Sequence, residues 1–234
     1  IRDRFYEQRD RRFCAMVHLY STHTPYDPPA EFREMYVDPD YDGPISAFYA
    51  EHRFAIQNRS YEATDADVEQ IKALYYAGTT QADSMIGEVL DELESLGALE
   101  DTLIVVTADH GESLGEQSVV TDWEHNWMFQ TNLQVPLLVS WPGHLPEGAR
   151  VSAIVDTVDL FPTLCELLGR SRPELGDEYD VIDGVSMLPV VRGEAESVRP
   201  FSFAENPTFL SVHDGDWKLI VNRRAWQSDE DWRK

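Results

Sequence analysis

The sequence predicts an α/β fold, and three of its features indicate this class. Two apolar runs rich in β-branched residues, over 102–108 and 135–141, are typical of strands buried on both faces of a sheet. Residues 64–96 repeat apolar side chains every three or four positions, which is typical of a long amphipathic helix. The chain has 234 residues, 42% of them hydrophobic, which is enough for a sizeable core. We therefore expect helices on both faces of a central parallel or mixed sheet.

The first sixty residues predict one further strand and one rigid loop. Residues 1–12 are highly charged and are expected to end a helix that begins upstream. The apolar run over 13–19 predicts a third, buried strand of the central sheet. The segment STHTPYDPP at 21–29 has three prolines in nine residues, so it predicts a rigid loop at the end of that strand. Short helices are expected near 45–57.

The long helix over 64–96 carries its own start and stop signals. Thr64 and Asp67 resemble a capping box, in which each side chain bonds the backbone N–H of the other residue. Gly97 is a typical C-terminal stop, because glycine readily adopts the left-handed conformation that ends helices. Gly78 lies inside the periodic stretch and predicts a break in the helix.

The C-terminal part of the chain predicts two helices and a small antiparallel sheet. Residues 158–169 form an amphipathic pattern that ends at Gly169, and residues 183–193 predict a loop and a short helix. Three short runs within 201–222 predict antiparallel strands, the last two joined by the turn HDGD. We expect an α/β domain over 1–195 and the start of an antiparallel subdomain over 196–234.

The charge of the chain excludes some classes of function. Asp and Glu number 43 against 19 Lys and Arg, so the net charge is −24, and we expect no binding to nucleic acid. No apolar run approaches the ~20 residues of a membrane span. Such an acidic, lysine-poor chain predicts a halophilic source, with an ordinary acidic protein as the alternative. Cys14 and Cys165 lie in apolar contexts and predict buried free thiols, with a disulfide as the alternative. The compartment and the oligomeric state stay open.

The first candidate site follows the strand over 102–108. The residues Asp109-His110-Gly111-Glu112 stand where a strand ends, which is where open α/β sheets bind ligands. An adjacent carboxylate and imidazole suit a divalent cation that holds a charged oxyanion substrate. The alternative is an Asp-initiated turn with a surface histidine.

Two further histidines are candidates. His23 lies on the proline-stiffened loop, where it can donate a hydrogen bond to a substrate oxygen or act as a general acid. His125 precedes the strand over 135–141 and lies between Trp123 and Trp127, so the alternative for it is a polar residue in an aromatic packing loop. No nucleophile elbow, P-loop or dinucleotide fingerprint is visible.

Taken in order, these segments resemble the sulfatase branch of the alkaline phosphatase superfamily. The match rests on a series of pieces in the family's order rather than on any single one. These pieces are HTPYDPP, YYAGTTQADSMIGEVLDELESLGALEDTLIVVTADHGESLGE, VPLLVSWPG, VDLFPTLCELLG, DGVSMLP and DGDWKLIVN. The resemblance implies an alkaline-phosphatase-like mixed sheet flanked by helices, with a small antiparallel C-terminal sheet and with the N-terminal part of the domain absent.

The resemblance also implies a reaction and its residues. In the family, a Ca²⁺ or similar ion orients a sulfate or phosphate ester, a nucleophile attacks the central atom, and a His or Lys protonates the leaving oxygen. Asp109 and His110 resemble the second pair of metal ligands, for which Ca²⁺ is expected and Mn²⁺ or Zn²⁺ are alternatives. His23 resembles the substrate-binding, proton-donating histidine. His125 stands eleven residues before Pro136, where the family usually has a lysine, and is a second candidate for substrate binding and catalysis.

Two departures from the family leave alternatives open. Histidine in place of lysine weakens the fixed positive charge at neutral pH, so phosphodiester or phosphonate hydrolysis or phospho-group transfer stays open beside sulfate-ester hydrolysis. The family's nucleophile motif is missing, and neither Cys14 nor Cys165 fits it. We therefore expect the C-terminal half to two-thirds of a catalytic domain that is inactive alone, acting in its parent on a small-molecule or glycan ester. A non-catalytic metal- or anion-binding module is the other alternative.

Overall fold

The structure is a computed structural model that describes residues 5–7, 11–117, 123, 125, 127–170 and 183–223. The chain divides into two compact units. The first unit comprises residues 1–102 and 112–125, and the second comprises residues 103–111 and 126–234.

The first unit is built on one long helix. Two short helices, α1 (Ala30–Arg33) and α2 (Ala50–Gln57), precede the 31-residue helix α3 (Asp65–Ser95). The core forms where the N-terminal half of α3 meets the loops before it and the segment after residue 112. Its buried members are Tyr26, Ile45, Phe48, Ile56, Val68, Ile71, Leu74, Leu114 and Trp123.

The predicted capping box of α3 is confirmed and is larger than expected. Thr64 N–H donates to Oδ2 of Asp67 at 2.8 Å, and the N–H of Asp67 donates to Oγ1 of Thr64 at 3.2 Å. The hydroxyls of Tyr41 and Tyr61 also donate to this carboxylate, at 2.5 and 2.6 Å. Burial alone would raise the pKa of Asp67, but the hydrogen bonds from Tyr41, Tyr61 and Thr64 outweigh it and lower the pKa to about 2.

The break predicted at Gly78 is wrong, because α3 runs through it without interruption. Gly78 has a different role: a Cβ at this position would lie 2.4 Å from the carbonyl oxygen of Ser21. The glycine therefore lets the loop over 21–29 approach the helix backbone. The predicted stop is confirmed, since Gly97 has φ +66° and Ala98 N–H donates to the carbonyl of Leu93 at 2.9 Å.

The strand predicted over 13–19 is wrong for the described structure. Residues 13–19 have no regular structure and pair with no other described residue, and Met16 is 90% exposed. A strand needs a neighbour for its backbone N–H and C=O groups, so an apolar sequence alone does not form one. For the same reason Cys14 is exposed rather than buried, while Cys165 is partly buried; both are free thiols. Of the charged N-terminal helix, residues 5–7 are helical, and 1–4 and 8–10 lie outside the described residues.

The second unit contains the two other predicted strands. Strand β1 (Ile104–Thr107), the one-turn helix α4 (Gln130–Leu133) and strand β2 (Leu137–Ser140) follow in chain order. β1 and β2 pair antiparallel, with Val105 opposite Val139. Of the expected parallel or mixed sheet, the all-parallel alternative is therefore excluded for these two strands: within the described residues they form a two-stranded antiparallel sheet. The predicted α/β class is confirmed.

The C-terminal elements follow the prediction closely. A 3₁₀ turn (Thr157–Asp159) leads into α5 (Leu160–Leu167), and α6 (Leu188–Val191) follows. The three strands β3 (Ser202–Glu205), β4 (Phe209–His213) and β5 (Lys218–Asn222) form one antiparallel sheet in the order β3-β4-β5. Thus the small antiparallel sheet predicted from residues 201–222 is confirmed. The domain division at 195/196 stays a prediction. Within the described part of the chain, no helix is both long and apolar enough to cross a membrane.

Candidate active site

Asp109 and His110 lie just after β1, in the second unit. The Asp109 side chain is 82% exposed, and its Oδ1 accepts the backbone N–H of His110 at 3.0 Å. Nδ1 of His110 lies 2.8 Å from the carbonyl oxygen of Gly111. Because a carbonyl oxygen only accepts, Nδ1 carries the proton in the neutral ring and the lone pair resides on Nε2. Nε2 of His110 and Oδ2 of Asp109 are 3.8 Å apart.

Gly111 fixes the backbone of this pair against α4. Its N–H donates to the carbonyl of Asn132 at 2.7 Å, and the Asn132 side chain is fully buried. A Cβ on Gly111 would lie 2.0 Å from the carbonyl oxygen of Thr131. The close approach of two backbone segments therefore requires glycine here.

The donor set at this turn fits part of a metal shell. A carboxylate oxygen and an imidazole nitrogen each lie about 2.0–2.6 Å from a bound divalent cation, so donors 3.8 Å apart can reach one ion. Among the described residues, no group of three or more His, Cys, Asp or Glu side chains forms a complete site. Asp109 and His110 thus offer two ligands rather than a closed shell.

His23 and His125 come together in the first unit, although they are far apart in sequence. Their ring centroids are 6.5 Å apart. His23 is exposed, its Nδ1 lies 2.6 Å from the carbonyl oxygen of Thr24, and its ring lies 4.6 Å from that of Tyr20. The structure therefore brings together the two histidines that the sequence singled out as substrate-binding and catalytic candidates.

Tyr26 anchors the loop that carries His23. Its backbone pairs with that of Phe48 in both directions, at 2.8 and 3.1 Å, and its side chain is 3% exposed. The Tyr26 ring stacks on Phe48 at 5.5 Å and meets Tyr75 edge-on at 5.4 Å. The prolines stiffen the loop, and this buried tyrosine fixes it to the core.

Glu112 is the residue of this site whose role sequence reasoning missed. Its side chain is 10% exposed, and its Oε1 lies 3.9 Å from Nδ1 of His125, which is 35% exposed. Burial is the main cause of the raised pKa of Tyr26, and the charge of Glu112 and a hydrogen bond with it add to the effect. Burial followed by the charges of Glu112 and Glu116 likewise raises the pKa of Tyr75. Glu112 directly follows the predicted Asp-His-Gly turn, and this position is the one feature of the sequence that could have pointed to its role.

Lys218 is a second group that the sequence did not single out. In the second unit, its Nζ donates to Oε1 of Gln130 at 2.6 Å and to the carbonyl of Met128 at 3.3 Å. Burial lowers the pKa of Lys218. Gln130 also lines an open groove of about 440 Å³ together with Thr131, Gln134, Val135 and Pro136. The lysine therefore hydrogen-bonds one residue that lines the groove.

The four predicted site residues form two pairs. His23 and His125 belong to the first unit, and Asp109 and His110 belong to the second. The chain passes from the second unit to the first between Gly111 and Glu112, so the residue that faces His125 stands two positions after His110 in the sequence.

Known proteins show the same combination of segments. A family model described as Sulfatase matches residues 3–170, and one described as N-sulphoglucosamine sulphohydrolase, C-terminal, matches residues 120–224. The choline-sulfatase of Rhizobium meliloti (strain 1021) is 27% identical over 228 residues, which cover 92% of this chain and 43% of the relative. The chain spans less than half the length of the curated relatives it matches.

Solved structures agree with this assignment. BT4656, solved in complex with its substrate D-glucosamine-2-N,6-O-disulfate, is 25% identical with a TM-score of 0.58, and the match covers 74% of this chain and 39% of that one. A phosphonate monoester hydrolase of Agrobacterium radiobacter is 25% identical with a TM-score of 0.54, over 73% of this chain and 40% of its own. The resemblance read from the sequence is confirmed, and because the Sulfatase model covers well over half of its residues, this chain belongs to the sulfatase family.

Proposed function

We propose that the protein to which this chain contributes is a metal-dependent hydrolase of sulfate esters. The observation that carries the proposal is the approach of the His23 and His125 rings to 6.5 Å within the region that matches the sulfatase family. Two imidazoles at this separation can contact one small tetrahedral oxyanion from two sides. Choline-sulfatase, a relative along 92% of this chain, supports the sulfate ester as the substrate class.

The Asp109–His110 pair is the proposed contribution of this chain to a metal site. The exposed carboxylate and the Nε2 lone pair of His110 suit a divalent cation, and the identity of that cation is left open. When bound, such a cation polarises the ester oxygens and neutralises their charge. Hydrogen bonds to the backbone hold both side chains in place before any ligand arrives.

His23 and His125 are the proposed substrate-binding and proton-donating residues. A protonated imidazole donates a hydrogen bond to an ester oxygen, and as the bond to the leaving group breaks it transfers that proton to the leaving oxygen. For His23, Nδ1 lies at the Thr24 carbonyl, so Nε2 is the nitrogen proposed to serve the substrate. The proposed role of this chain in the reaction is thus to bind and orient the ester and to protonate its leaving oxygen.

Phosphonate or phosphate ester hydrolysis is the second candidate. Two observations favour it: histidine stands where the family usually has lysine, and the matched structures include a phosphonate monoester hydrolase. Comparing rates on 4-nitrophenyl sulfate and on a phenylphosphonate monoester separates the two candidates. A higher kcat/KM for the phosphonate ester would replace sulfate as the proposed substrate class.

The proposal is tested with His23→Ala and His125→Ala in the full-length protein. Loss of a proton donor typically costs 10²–10⁴-fold in rate, so each variant should lower kcat/KM at least about 100-fold. His144→Ala is the matched control, because His144 is exposed and stacks on Trp141 in the second unit. Metal content should be unchanged in all three variants and reduced in Asp109→Asn. Unaltered rates in both histidine variants would contradict the proposal, and no activity with any ester would favour a binding module.

A further inference from the structure

A buried carboxylate faces His125, and its surroundings are otherwise unsuited to a charge. The side chain of Glu112 is 10% exposed and lies beside the aromatic side chains of Tyr26 and Tyr75. An ionised carboxylate in such a place is costly unless hydrogen bonds and an opposite charge compensate it. The Tyr26 hydroxyl supplies one hydrogen bond, and an imidazolium at His125 would supply the opposite charge.

The geometry of His125 matches that role. Its Nδ1 lies 3.9 Å from Oε1 of Glu112, within ion-pair distance, while the side chain as a whole is 35% exposed. The ring therefore has one edge toward a buried carboxylate and remains accessible from outside. A second titratable group that faces it is His23, at 6.5 Å between ring centroids. The electrostatic effect of an exposed imidazole at that distance on His125 is smaller than that of a nearly buried carboxylate at 3.9 Å.

The two histidines differ in what their Nδ1 atoms contact. Nδ1 of His23 lies 2.6 Å from a neutral backbone carbonyl oxygen, within hydrogen-bond distance, whereas Nδ1 of His125 lies 3.9 Å from a carboxylate oxygen, within ion-pair distance. A carboxylate stabilises an imidazolium more strongly than a carbonyl does, because the attraction is between full charges. The surroundings of His125 therefore favour a protonated ring more strongly than those of His23 do.

We propose that Glu112 is a positioning residue that orients His125 and stabilises its protonated form. This inference rests on the proposed function and deepens it. His125 then provides a lasting positive charge that binds the anionic ester, in the place where the family usually has lysine. His23 is left as the ring that transfers the proton to the leaving oxygen.

The test follows the imidazole nitrogens of His125 by NMR in the ¹⁵N-histidine-labelled full-length protein. In Glu112→Gln, the midpoint of the His125 titration should fall by about one pH unit, because a carboxylate within ~4–6 Å shifts a partner by 1–3 units. Glu116→Gln is the matched control: Glu116 is exposed in the same segment, and its carboxylate accepts the N–H of Leu114 at 2.6 Å. The control should leave the His125 midpoint in place. An unchanged midpoint in Glu112→Gln would overturn the inference.

A second measurement needs no variant. Above its midpoint, wild-type His125 should be the Nδ1–H tautomer, because Nδ1 faces the carboxylate. The Nε2–H tautomer would overturn the inference even if Glu112→Gln does not fold. In the full-length enzyme, Glu112→Gln should raise KM for the ester more than it lowers kcat, and Glu112→Asp should restore part of the loss. The NMR result does not depend on turnover, so the NMR shift in a protein that hydrolyses no ester would support the positioning role and contradict only the proposed function.

Discussion

The Asp109–His110 pair and the His23–His125 pair are held in place by different means. Backbone hydrogen bonds fix the first pair: Oδ1 of Asp109 accepts an N–H, and Nδ1 of His110 meets the carbonyl of Gly111. In the second pair, Nδ1 of His23 also meets a backbone carbonyl, that of Thr24, but side chains lie against both rings: Tyr20 beside His23 and Glu112 beside His125. Neighbours in sequence can take their geometry from one turn, whereas residues far apart need a folded core between them.

Each pair also depends on a close approach that only glycine allows. Gly111 lies against the carbonyl of Thr131, and Gly78 lies against the carbonyl of Ser21, on the loop that carries His23. Adding one methyl group at either glycine therefore tests how strongly each pair depends on its support.

The largest effect is expected for Gly111→Ala. The new Cβ would lie 2.0 Å from the Thr131 oxygen, so the turn must move away from α4 and weaken the 2.7 Å hydrogen bond to the Asn132 carbonyl. Overpacking against backbone of this kind should lower the free energy of unfolding by about 3 kcal/mol. Urea unfolding measures it. A variant as stable as the wild type, with unchanged affinity for divalent cations, would show that the pair does not need this support.

The sequence was sufficient wherever the information is local. The hydrogen-bonded turn at Asp109, the capping box at Thr64 and the three strands over 201–222 each rest on residues close together in the chain, and each is present. The metal-binding role of Asp109 and His110 stays a prediction. Their geometry follows from turns, caps and alternation, which short segments determine themselves.

The sequence was insufficient where partners are distant. The run over 13–19 has the composition of a strand, but composition does not supply a neighbouring strand, and the described structure has none. Gly78 resembles a helix breaker, and only the approach of Ser21 explains it. The role of Glu112 depends on its burial beside Tyr26 and His125, which no local pattern encodes.

A smaller effect, a loss of about 2 kcal/mol from the free energy of unfolding in acid, is expected from the protonation of Asp67 in the first unit. Hydrogen bonds hold the pKa of Asp67 at about 2 against an ordinary value of 3.8, so its contribution is present above pH 3.8 and is lost as the pH falls toward 2. Asp67→Asn should remove this part of the pH dependence of unfolding. Asp65→Asn is the control, because Asp65 is exposed in the same helical turn. Parallel stability curves for the wild type and Asp67→Asn between pH 5 and 2 would contradict the role of this carboxylate.

The smallest effects come from two glycines of one helix, and they should have opposite signs. Gly78→Ala places a Cβ 2.4 Å from the Ser21 oxygen, whereas Gly87→Ala meets no atom within 4 Å. Alanine is favoured over glycine inside a helix by about 1 kcal/mol, so Gly87→Ala should stabilise by that amount. Gly78→Ala gains the same helix propensity but loses about 2 kcal/mol to overpacking, a net destabilisation of about 1 kcal/mol. Thermal unfolding of both variants measures the difference. Because the displaced loop carries His23, only Gly78→Ala should also change the NMR signals of that imidazole. Equal stabilisation by both substitutions would mean that the loop moves freely to accept the added methyl group, and that its close approach to α3 does not position His23.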